Sequence, residues 1–137
     1  MHIVCFVKTV LIIEDDRDTR AILSEILAGE GYEAVAVDAG DSAITYLGSH
    51  DPPCLVLLDL RLPRMNGIAF LQWLNKQEQL RKLPVAVLSA LRVDTEKDKE
   101  PFRDHVVAVL RKPFTLEDVL ELIESHCGTL PGTQEAA

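Results

Sequence analysis

A chain of 137 residues that is 47% hydrophobic has the length and apolar content for one domain with a real core, and is too short for two. Its net charge of -8, from 22 acidic and 14 scattered basic residues, argues against direct nucleic-acid binding, because a polyanion is held mainly by Lys and Arg. No stretch approaches the roughly 20 apolar residues of a membrane span, and the start lacks a basic region and a small-residue cleavage site, so neither membrane nor export is indicated and a cytoplasmic location is expected.

Along the chain, Val10 to Ile13 reads as the first strand, with Met1 to Val7 extending it or packing beside it. Arg17 to Gly29 carries Ile22, Leu23, Ile26 and Leu27 at helical spacing, and Gly29 and Gly31 supply the stop. Glu33 to Val37 alternates enough for a partly exposed strand, and Asp41 is placed to cap a short helix holding Ala43, Ile44 and Leu47. After Asp51-Pro52-Pro53 come the strand Leu55 to Leu58, a loop from Leu60 to Asn66, and a helix from about Gly67 with Phe70, Leu71 and Leu74 on one side. Pro84 opens the strand Val85 to Leu88. Leu91 to His105 is charged and contains Pro101, so a short or irregular helix is expected there. The strand Val106 to Leu110 follows. Thr115 and Asp118 resemble a capping box for a last helix with Leu116, Val119, Leu120, Leu122 and Ile123 as its stripe, ending near Gly128. Strand and helix alternate five times, which implies right-handed βαβ units and an open parallel sheet with helices on both faces.

Cys5, Cys54 and Cys127 are odd in number, far apart and without a CxxC pair, and read as reduced cytosolic thiols, at least two of them packed in the core. His2, His50, His105 and His126 share no metal-ligand spacing and are assigned to the surface or to helix ends.

Four apolar runs end in different chemistry: the first in Glu14-Asp15-Asp16, the third in Asp59, the fourth in Ser89, the fifth in Arg111-Lys112-Pro113. In parallel sheets ligands sit at the carboxyl ends of the strands, so these groups converge if the strands are neighbours. Gathered carboxylates repel unless a cation joins them. Oxygens from two or three loops suit Mg²⁺, whereas a calcium cage needs more ligands and the EF-hand spacing is absent. Ser89 has no His placed to activate it, which argues against hydrolase chemistry and for hydrogen bonding to a phosphoryl oxygen. Lys112 becomes a counter-charge for an anionic group, and a cis bond at Pro113 is one way to aim it inward.

The segments Val10-Leu11-Ile12-Ile13-Glu14-Asp15-Asp16, Leu57-Leu58-Asp59-Leu60-Arg61-Leu62-Pro63-Arg64-Met65-Asn66-Gly67, Leu88-Ser89-Ala90 and Arg111-Lys112-Pro113-Phe114 resemble the receiver domain of bacterial two-component response regulators. The resemblance spans residues 9 to about 127 and leaves 128–137 as a flexible C-terminal tail. It implies a flavodoxin-like α/β/α sandwich with five parallel strands ordered 2-1-3-4-5. It also implies a phosphoacceptor at Asp59, Mg²⁺ held by Asp15, by Glu14 through water and by the backbone carbonyl of Arg61, a phosphoryl contact from Ser89 with room left by Ala90, and a pairing lysine at Lys112. Asp16 falls outside the acidic pair. The donor would be a phosphohistidine on a sensor histidine kinase or phosphotransfer protein. Such a chain is no enzyme beyond its own phosphorylation and slow dephosphorylation, and a monomer or weak dimer is expected. It is a stand-alone regulator, a relay intermediate or the receiver part of something longer.

Three departures stand out. Glu14 takes a place where the family more often has Asp, Val109 takes the place of the usual aromatic switch residue three before Lys112, and the Gly-Ala turn common before the last strand is missing. A muted conformational response or an unusual partner surface is the expectation. Arg61 and Leu91, two positions beyond Asp59 and Ser89, are a bulky, non-acidic pair expected to slow hydrolysis. Three other readings compete with this one. A pseudo-receiver would bind a partner without being phosphorylated, and Val109 gives it some room. A haloacid dehalogenase-type phosphatase needs an aspartate two after the nucleophile, where Arg61 stands. A flavodoxin needs a phosphate loop where this chain has acids.

Overall fold

The computed structural model describes residues 8–90 and 105–128. The expected extension at Met1 to Val7, the helix over 91–104 and the tail from Thr129 lie outside the described residues. The elements are β1 (Thr9–Ile13), α1 (Arg17–Gly29), β2 (Glu33–Val37), α2 (Gly40–Ser49), β3 (Leu55–Asp59), α3 (Gly67–Asn75), a single 3₁₀ turn (Glu78–Leu80), β4 (Val85–Ser89), β5 (Val106–Arg111) and α4 (Leu116–Cys127). All strand pairs are parallel and the sheet order is β2-β1-β3-β4-β5.

The pleat sorts the strand residues into two cores. Val10, Ile12, Leu55, Leu57, Ala86 and Leu88 face α1 and α4, where Leu23, Leu27, Val119 and Ile123 meet them. Leu11, Ile13, Val56, Leu58, Val85 and Val87 point the other way, onto Ala43, Leu47, Phe70, Leu71 and Leu74 of α2 and α3. Strands buried on both faces cannot alternate with polar residues, which is why β1, β3 and β4 read as continuous apolar runs. β2, at the sheet edge, keeps its alternation and its partial exposure. Because the chain leaves β1 for β2 on one side and returns to β3 on the other, the topological switch point lies between β1 and β3.

Local chemistry sets the helix ends. Asp16 caps α1 by accepting from the Thr19 amide at 2.9 Å, and Gly31 takes φ 88° just past its end. Asn66 caps α3 through the Ala69 amide at 2.8 Å, and the Thr115/Asp118 capping box starts α4. Asp41, in contrast, is no cap: α2 begins one residue earlier, after Ala39, and the Asp41 carboxylate turns outward to Arg64. Ile22 and Leu116 do not join the buried stripes of their helices and are 54% and 51% exposed, because each sits at the flank of its stripe. His105 is buried rather than superficial, with Nδ1 at 3.1 Å from the Leu83 carbonyl oxygen, in a slot between the starts of β4 and β5. Cys54 and Cys127 are joined in a disulfide with Cα atoms 5.5 Å apart, where free thiols were expected. The 73 residues between them hide that proximity from any spacing argument. Among the described residues no helix is long and apolar enough to cross a membrane.

Candidate functional site

Four strand ends converge beside the switch point. Glu14, one residue past β1, is fully buried, and its amide donates to the Val37 carbonyl at 3.1 Å. Its Oε2 accepts from the Asp16 amide at 3.1 Å, while Oε1 accepts from Lys112 Nζ in an ion pair. Asp59, the last residue of β3 and 6% exposed, accepts the Arg61 amide on Oδ1 at 2.9 Å and Lys112 Nζ on Oδ2 at 3.2 Å. Asp15 is exposed, yet one carboxylate oxygen from each of Glu14, Asp15 and Asp59 lies within 4.8 Å of the others. Ser89 ends β4 and is buried, and its carbonyl accepts the Lys112 amide at 2.7 Å. The Lys112–Pro113 bond is cis.

The charges explain one another. Burial pushes the Glu14 carboxyl up to about 7, the neighbouring Asp59 carboxylate adds to the rise, and the Lys112 ammonium opposes it. Burial draws the Lys112 ammonium down, but Glu14 and Asp59 together outweigh it and leave its pKa above the ordinary value. Two buried carboxylates are thus held at contact distance by one ammonium that bridges them. Three oxygen-bearing groups in this geometry also fit a small hard cation, which takes carboxylate and carbonyl oxygens and keeps some water.

Sequence reading brings Glu14, Asp15, Asp59, Ser89 and Lys112 to one place, and Arg61 lies two residues beyond Asp59 with its amide turned to that carboxylate. Leu91 lies outside the described residues. What the sequence missed are the supports. Arg20, on the first turns of α1, donates from Nη1 to the carbonyls of Glu14 and Asp15 at 2.8 and 2.9 Å and so fixes the acidic turn. The loop after β3 is tied down at three points. Arg64, at φ 59°, forks onto Asp41 at 2.9 and 3.1 Å. Met65 packs so closely on Gly40 that a Cβ there would lie 3.0 Å from Met65 Cγ. Gly67 donates to the Leu60 carbonyl at 3.0 Å, and a Cβ on it would sit 2.7 Å from Leu60 Cα. An arginine five and six residues after an acidic turn is a signal that could have been read; the long-range Arg64–Asp41 pair is not. Beside Lys112 opens an apolar cavity of 490 Å³ lined by Thr19, Ile22, Ala90, Pro113 and Phe114.

A family model for the response regulator receiver domain matches residues 10–124. The chain is 30% identical over 122 residues to the polar-differentiation response regulator DivK of Brucella ovis, a match covering 88% of this chain and 97% of that protein. It is similar to the solved structure of the phosphorylated cyanobacterial phytochrome response regulator RcpA, with 27% identity, a TM-score of 0.76, and coverage of 93% of this chain and 100% of that one. Chemotaxis protein CheY4 of Vibrio cholerae shares the fold, with a TM-score of 0.79 over 88% of this chain and 99% of its own.

Proposed function

Because this chain belongs to the response regulator receiver domain family, we propose that it is a phosphoryl-accepting signalling switch with Asp59 as the acceptor. The observation that carries the reading is the Lys112 bridge between Glu14 and Asp59, with Asp15 in reach, at the ends of neighbouring strands. A carboxylate is a poor nucleophile toward an anionic phosphoryl group unless positive charge meets it there. Lys112 stands within 3.2 Å of Asp59 to pair with the incoming oxygens, and buried Ser89 ends the adjacent strand, where its hydroxyl would hydrogen-bond the transferred group. Glu14, Asp15, Asp59 and the Arg61 carbonyl would hold Mg²⁺, which when bound neutralises phosphoryl oxygens and aligns the donor.

In the transfer, an Asp59 carboxylate oxygen attacks phosphorus in line and forms an acyl phosphate. The P–N bond to the donor imidazole breaks, and its electron pair stays on the imidazole nitrogen, which takes up a proton. A sensor histidine kinase or a phosphotransfer protein is the donor, and the apolar cavity at Ile22 and Phe114, opening directly beside Lys112, suits a partner helix bearing that imidazole. Residues 9–127 are the functional unit, acting in the cytoplasm.

Val109 favours a second reading. It is half-buried against the α2/α3-side core and has no ring to turn, so a partner-binding receiver that is never phosphorylated would look the same at β5. Intact-protein mass after incubation with acetyl phosphate, with and without Mg²⁺, separates the two. A single magnesium-dependent phosphoryl adduct on the wild type and none on Asp59→Asn supports acceptance. No adduct on a protein that demonstrably binds Mg²⁺ supports the second reading.

A further inference from the structure

The end of α4 farthest from Asp59 is tied down at three points. Cys127, the last helical residue, is bonded to Cys54, which immediately precedes β3 and whose amide donates to the Thr9 carbonyl at 2.8 Å. Tyr32 Oη donates to the Gly128 carbonyl at 2.7 Å, and Lys8 Nζ reaches the Cys127 carbonyl. The residue just ahead of each of the first three strands, Lys8, Tyr32 and Cys54, thus makes one tie to this helix end.

We propose that Cys54 and Cys127 form a reversible dithiol–disulfide site through which the surrounding redox state sets how firmly α4 is held to β3. The geometry gives the bond leverage. β3 runs from Leu55, the residue after Cys54, to Asp59, and α4 begins three residues after Pro113, so the Asp59–Lys112 ion pair at one end and the disulfide at the other close a ring through both elements. With the bond closed, the far end of α4 can neither slide nor swing. With it open, that end keeps two hydrogen bonds and the stripe of Val119, Leu122 and Ile123.

Access is asymmetric: Cys127 is buried at 5% exposure, whereas Cys54 is half-buried, so exchange enters at Cys54. Glutathione disulfide is the oxidant. The Cys54 thiolate attacks one of its sulfurs and releases one glutathione thiolate; the Cys127 thiolate then attacks the Cys54 sulfur and releases the second. Two thiols lose two protons and two electrons, and one glutathione disulfide becomes two glutathiones. The reverse begins with a glutathione thiolate attacking Cys54. None of this depends on whether Asp59 accepts a phosphoryl group.

The test equilibrates the full chain across a series of glutathione to glutathione disulfide ratios, quenches with iodoacetamide, and maps the labelled peptides by mass. Cys54 and Cys127 are expected to lose label together in one two-electron transition while Cys5 labels independently of it. The oxidised form should resist unfolding in urea by a factor on the order of a thousand over the reduced form, given the 73-residue separation. Cys54→Ser and Cys127→Ala should each match reduced wild type, and amides of 119–128 should exchange faster in all three. Three results would overturn the proposal: both cysteines labelled at every ratio, a disulfide that persists in excess glutathione, or equal amide exchange in the oxidised and reduced forms.

Discussion

Glu14→Gln is the perturbation that most directly interrogates the buried charge. The Glu14 pKa rises from 4.5 to about 7 on folding without a bound cation, through burial first and Asp59 second. Between those values the folded chain binds more protons than the unfolded one, so the group's contribution to stability is complete below pH 4.5 and is lost as pH climbs through 7. At about 1.4 kcal/mol for each pH unit, the gap integrates to about 3 kcal/mol. Glutamine keeps the shape and removes the titration. Urea midpoints measured with a chelator present should coincide for wild type and Glu14→Gln near pH 4.5. They should diverge by pH 8 in favour of the variant by at most about 3 kcal/mol, reduced by the lost attraction to Lys112. Asp16 and Asp41, whose pKa values are lowered by Thr19 and Arg64, lose their contributions in acid, equally in both proteins. Mg²⁺ at pH 8 should raise the wild type and narrow the difference. Parallel stability curves from pH 4.5 to 8 would refute the reasoning.

Lys112→Ala removes the ammonium that pairs with both Glu14 and Asp59, and the initial rate of adduct formation from acetyl phosphate should fall by about 10²-fold or more, which a mass time course reads. Gly67→Ala drives a methyl against the Leu60 backbone and should destabilise the fold by about 1–3 kcal/mol in urea titration; a neutral result would mean that the loop after β3 yields freely. With exposed Arg61 two residues beyond the acceptor in place of an acid, the phosphorylated form should outlast seconds at neutral pH, and loss of the adduct within seconds would contradict the part assigned to that position.

The sequence made the sheet legible because strands buried on both faces leave no room for polar residues, so each apolar run and the polar residue that stops it could be read directly. The same feature exposed the site: Glu14, Asp59, Ser89 and Lys112 are what those runs end in. Periodicity was less reliable at the flanks of helices, since Ile22 and Leu116 keep the spacing of a stripe yet border open surface beside the site. It also could not see pairings that the fold makes across long separations. Cys54 and Cys127 meet only because β3 begins where α4 ends, and Arg64 reaches Asp41 only because the loop after β3 folds over the start of α2. His105 is buried where its sequence context points to the surface, because nothing local marks the slot between β4 and β5 that holds it.

If Asp59 carries the phosphoryl group, the adduct is an acyl phosphate at that side chain. An acyl phosphate is reduced by borohydride to an alcohol whereas a free carboxylate is not, so wild type treated with acetyl phosphate and Mg²⁺, then with borohydride, can be digested and sequenced by mass. Homoserine is expected at position 59 and unmodified aspartate at positions 15 and 16. Homoserine at another aspartate, or a phosphoryl adduct that borohydride leaves untouched, would contradict it.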